Sequence, residues 1–110
     1  MHPKIHPHQS LPAKTFPVGG PIDVWEDDDA AAVFTVVISQ VVNGSYATGL
    51  GRSEVYTPLP GGGPKEWTAD VKVLAGTFQK GGATVYAWAS IAQPDGGWEM
   101  YPWGRPVQLG

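Results

Sequence analysis

From Ala31 onward the chain alternates runs of β-branched and aromatic residues with short punctuations of Gly, Pro, Asn and Asp. AAVFTVVISQVV, residues 31–42, is a strand by composition, and Asn43-Gly44 after it is the strongest two-residue signal for a hairpin. Residues 46–57 continue as a strand interrupted near Gly49 and Gly51, where missing side chains suit a bulge or bend. Arg52 and Glu54 follow that bend as solitary polar residues. PLPGGGP, residues 58–64, reads as a loop. In WTADVKVL the positions alternate strictly, with Trp67, Ala69, Val71 and Val73 on one face and Thr68, Asp70 and Lys72 on the other. One face of that strand is therefore wet.

ATVYAWASIA, residues 83–92, behaves differently. Ala83, Val85, Ala87, Ala89 and Ile91 form one face and Thr84, Tyr86, Trp88 and Ser90 the other, so neither is polar. Pro94 to Gly97 turns the chain, and WEMYPWGRPVQL returns with Pro102 and Pro106, which confine it to a sheet edge or break it. Six or seven short strands with turns between them predict an all-β fold, a two-sheet antiparallel β-sandwich. The sequence of a clean alternating strand, a long strand, a tight Asp-Gly turn and a proline-bearing final strand, over residues 67–109, resembles the last three strands of immunoglobulin-like and fibronectin type III-like domains. That resemblance implies a module that binds, links or decorates. It comes without the paired cysteines of antibody domains, since the chain contains no Cys.

Residues 1–21 carry Pro3, Pro7, Pro12, Pro17 and Pro21 and predict an extended arm preceding a sandwich domain over residues 22–110. Such a segment docks readily on aromatic surfaces, and Ile5, Pro7, Leu11, Pro12, Phe16 and Pro17 are its candidate contact residues. Their expected target is the aromatic cluster of the last hairpin on a neighbouring copy, Tyr86, Trp88, Trp98, Tyr101 and Trp103, because one sandwich cannot turn all five inward. Phe34 and Trp67, by contrast, take core positions by alternation.

Charge and chemistry narrow the functions. Seven basic and ten acidic residues give a net charge of −3, with no footprint for nucleic acid or an anionic bilayer. No apolar run reaches the roughly 20 residues of a membrane span, and the N-terminus lacks the apolar stretch of a secretory signal, so a chain kept in the cytoplasm or built into a particle is expected. His2, His6 and His8 lie in the arm without a nearby carboxylate or thiolate, and Glu26 to Asp29 lack the spacing of a calcium loop, so no metal is expected. Gly61-Gly62-Gly63-Pro64-Lys65 lacks the spacing of a phosphate loop, and Asn43-Gly44-Ser45 is explained by its turn rather than as a glycan acceptor. With no nucleophile elbow and every His in the arm, no enzyme and no cofactor are expected.

Three coverings of that cluster are open: in one the arm folds over its own sheet and the chain is a small monomer with an ordinary core, and the other two carry functional expectations. One is a structural subunit of a repeating assembly, such as a filament, shell or phage-like particle, whose partner is another copy or a protein scaffold. The other is a carbohydrate platform, with sugar faces stacked on the hairpin aromatics and Glu99, Arg105 and Gln108 as the polar rim.

Overall fold

The computed structural model describes residues 3–22, 31–57, 65–92 and 95–110, and these contain seven strands and no helix. The strands are β1 (His8–Gln9), β2 (Thr15–Ile22), β3 (Ala31–Val42), β4 (Ser45–Tyr56), β5 (Lys65–Ala75), β6 (Gly81–Ala92) and β7 (Trp98–Leu109). The acidic run Glu26 to Asp29, the loop at 58–64 and Pro94 lie outside the described residues.

The all-β expectation holds, but the strands do not divide into two sheets. They form one mixed sheet in the order β1-β7-β6-β3-β4-β5-β2, in which β1 runs parallel to β7 and every other pair is antiparallel. The two ends of the order meet through the N-terminal segment. Lys4 and His6 donate their backbone N–H groups to the carbonyls of Pro21 (2.8 Å) and Gly19 (3.0 Å) on β2. A few residues on, Gln108 of the last strand and Gly110 just after it donate to Pro7 (2.8 Å) and Gln9 (3.2 Å). One short segment thus spans the seam of a nearly closed barrel.

The prolines explain why the seam lies there. Along an antiparallel strand the backbone groups of alternate residues point to opposite sides. Because Gln108 and Gly110 donate away from β6, Pro106, Gly104 and Pro102 share that direction. Likewise Gly19 and Pro21 turn their carbonyls away from β5, and Pro17 follows by alternation. All four strand prolines therefore sit where their missing N–H removes no bond from the neighbouring ladder.

Tight coiling requires small residues on the inner side. Gly49 and Gly51 face inward on β4, and a Cβ on Gly51 would stand 2.4 Å from the carbonyl oxygen of Asp70. The expected disturbance near Gly49 is present as a register shift between Thr48 and Gly49, while the strand itself continues. The β3–β4 turn is of the predicted kind, with Asn43 at φ 50° and Gly44 at φ 77°.

Inside the barrel, Phe34 stacks on Trp67 with ring centroids 4.7 Å apart and planes 11° from parallel. Tyr56 meets Phe34 edge-on, and Trp103 meets both Phe34 and Trp67 edge-on. At the opposite end Phe16 packs edge-on against Phe78. Two buried amides clamp the backbone. Gln9 donates to the carbonyls of His6 (2.8 Å) and Gly19 (3.1 Å), and Gln40 donates to Gln79 (2.9 Å) and Gly82 (3.0 Å) while accepting from the Gln79 N–H (2.7 Å).

Gln40 therefore pins the β5–β6 connection to β3. Gln40→Leu keeps the volume but leaves three backbone groups without their partner, and is expected to cost about 1–3 kcal/mol. Urea unfolding should show a lower midpoint at unchanged slope, since the surface exposed on unfolding is the same.

Candidate functional site

Strand register decides which side each aromatic takes. On β6, Ala83, Val85, Ala87, Ala89 and Ile91 are buried, so Thr84, Tyr86, Trp88 and Ser90 face out. Tyr101 and Trp103 oppose Ala89 and Ala87 and therefore point inward, whereas Trp98, Met100 and Pro102 oppose Ala92, Ser90 and Trp88 and point outward. The expected five-ring strip is thus two groups. Tyr86, Trp88 and Trp98 lie outside; Trp103 is partly buried and packs against the core, with the exposed Tyr101 tilted against it at 5.9 Å.

The residues of the arm divide as well. Ile5 and Phe16 are buried in the chain's own core, Pro12 is half-buried, and Pro7, Leu11 and Pro17 are exposed. Residues 3–9 and 15–22 are woven into the same sheet as the rest, and the boundary expected at residues 21 and 22 falls inside β2. The aromatic that receives the arm is Trp67, whose indole N–H donates to the Lys4 carbonyl at 2.7 Å. His6 lies against Glu66, Nε2 to Oε2 at 2.8 Å.

The polar rim expected around a sugar does not come together. Glu99 and Arg105 oppose the buried Ile91 and Val85, on the face opposite Tyr86 and Trp88, and Arg105 donates across the seam to the Ile5 carbonyl at 2.9 Å. Gln108 is on the outer side but stands six residues beyond Pro102, roughly 20 Å along the strand.

What the register does assemble is a broad outer face. Trp88 neighbours Pro102 on β7 and Thr35 on β3, and Tyr86 neighbours Gly104 and Val37. Leu50 and Val55 extend the face onto β4, opposite Val37 and Val33. Tyr86 is 57% exposed, Trp98 64% and Met100 55%, so these side chains stand in solvent rather than in a crevice. The outward positions of β3, β6 and β7 include no Asp, Glu, Lys, Arg or His. Charges on the outside begin at β4 and β5, with Arg52 beside Asp70 and Lys72 beside Leu50.

Comparison with known proteins brings no match. No family model, no curated protein and no solved structure corresponds to this chain.

The face also has relief. Between Tyr86 and Trp88 an open cleft runs over Gly104 and Pro102. Its floor exists because residue 104 is Gly: an added Cβ would stand 2.9 Å from the Tyr86 ring, so the phenol lies over the backbone of its cross-strand neighbour. Trp98, near the hairpin turn, rises at the other end of the same strand. The missed signal was in the last strand itself. Val107 and Leu109 are its plainly apolar end, and counting back in twos puts Trp103 and Tyr101 on their side and Trp98 on the other.

Proposed function

We propose that the chain is a non-enzymatic structural module, a subunit that packs against protein in a larger assembly through the outer face of β3, β6 and β7. The observation that carries this reading is the uncharged outward side of three adjacent strands with Tyr86, Trp98 and Met100 exposed on it. Sheets that face water ordinarily carry polar residues on that side. Single exposed apolar residues are common, but a continuous patch of several hundred Å² marks an interaction surface. An uncharged outer face without convergent polar groups offers shape and hydrophobic contact, which suits a protein partner better than a small polar ligand. The N-terminal arm supports that role indirectly, by closing the chain's own barrel and so holding the face rigid.

The test is exposure of the face in the dilute chain. A hydrophobic dye should bind the wild type, and Tyr86→Lys with Trp98→Lys should abolish most of that binding without lowering the thermal midpoint by more than a few degrees, because both side chains stand in solvent. A wild type that excludes the dye would count against the reading.

A further inference from the structure

Resting on that reading, we infer that the occupant of the face is a second copy of this chain, packed two-fold with the Trp98 of each subunit seated in the Tyr86–Trp88 cleft of the other. Three observations lead there. The first is charge. An uncharged face offers a heterologous partner no electrostatic complement, whereas two identical uncharged faces meet without like-charge repulsion, which would otherwise oppose self-association of a chain with net charge −3.

The second is area. Three 12-residue strands, about 4.8 Å apart with about 3.3 Å rise, give a face of roughly 14 by 40 Å, on the order of 550 Å² in flat projection. A stable interface takes about 800 Å² from each partner. The face is thus near the lower limit of what a specific dimer needs, roughly 600 Å² from each partner, so association depends on concentration.

The third is the pairing of a projection and a recess on one surface. An isologous interface requires that both complementary features lie on the same patch, so that each contact is made twice. Trp98 is the most exposed aromatic on this face, and the cleft floored by Gly104 lies six residues along the same strand, roughly 20 Å away. A two-fold axis midway between positions 98 and 104 passes beside the outward side chains of Met100 and Pro102. Two copies related by it, with sheets about 10 Å apart, bring each indole over the other's cleft.

The axis gives a test that uses folded, full-length chains. Near it each Met100 lies opposite the partner's Pro102 and about 7 Å along the strand from its own counterpart, so Met100→Lys brings two ammonium groups close together, as Met100→Glu brings two carboxylates. Wild-type chain should sediment as a dimer whose dissociation rises roughly a hundredfold or more in either variant. Mixing M100K with M100E should restore a dimer containing one chain of each. A wild-type dimer untouched by either substitution, or variants that stay monomeric when mixed, would overturn this arrangement. A wild-type monomer at every concentration would overturn the second copy as occupant. If that monomer still binds the hydrophobic dye, the face remains a protein-binding surface for another partner; if it excludes the dye, both readings fail together.

Discussion

Trp67→Ala is expected to remove about 3–5 kcal/mol of folding stability, the range for emptying a fully buried aromatic site. Trp67 has no exposed surface, stacks on Phe34 and takes Trp103 edge-on, so its loss opens a cavity between three strands. The neighbours cannot readily collapse into that space, because Phe34 and Trp103 are themselves fixed in the β3 and β7 ladders. Trp67→Ala also leaves the Lys4 carbonyl without its indole donor, which loosens the arm at the point where it crosses the seam. For a chain of this size with about 5–15 kcal/mol in total, such a loss is a large share of what holds it folded. Urea unfolding should show the midpoint falling by roughly 2 M. Trp67→Phe keeps a ring stacked on Phe34 but removes the indole N–H and three buried heavy atoms, so a smaller decrease of about 1–3 kcal/mol is expected.

Gly20→Val tests whether residues 3–6 belong to the barrel. At Gly20 an added Cβ would stand 2.1 Å from the Lys4 carbonyl oxygen and 2.7 Å from the Ile5 Cα, both backbone atoms that cannot rotate aside. The segment must lift off β2, which breaks the Lys4 and His6 hydrogen bonds and exposes Ile5. A loss at or above the upper end of about 1–3 kcal/mol is expected. The tryptophan emission should shift to the red as Trp67 loses its cover. Gly82→Val is the control, since nothing stands within 4 Å of a Cβ at Gly82 and its φ is not positive. That substitution should be neutral within about 0.5 kcal/mol. Equal effects at the two positions would mean that Gly20 reports glycine entropy alone and not the arm.

The readable part of this fold was written in alternation. WTADVKVL and ATVYAWASIA each place their buried residues where a period of two puts them, and Asn43-Gly44 fixes the hairpin register between β3 and β4. The prolines of the last strand also meant what they suggested, a strand whose far side lacks a continuous neighbour. The arm was not legible, because Ile5 and Phe16 stand singly among prolines and show no period. Nor was closure into one sheet: alternation assigns inside and outside, but says nothing about whether the inner sides face one another across two sheets or around one. Gln9 and Gln40 were hidden for a related reason, since a glutamine is an exposed residue by composition until its backbone partners are known.

The candidate site was half legible. The apolar second side of β6 signalled a surface in need of cover, and Tyr86 and Trp88 are on it. Tyr101 and Trp103 were assigned to it because clustering in sequence outweighed parity, yet parity is what a pleated strand obeys. Met100, Val37 and Leu50 were passed over for the opposite reason: each is ordinary alone, and only the register across β4, β3, β6 and β7 makes them one face.

Residue-resolved hydroxyl-radical footprinting, read by mass spectrometry on dilute and concentrated chain, tests the division between inner and outer faces most directly. Trp98, Tyr86 and Met100 should react strongly in the dilute chain and become protected as it associates, while Trp67 and Phe34 stay unreactive throughout. Trp98 as protected as Trp67 in the dilute chain, or equally reactive in both samples while the chain associates, would contradict the assignment of that face as the contact surface.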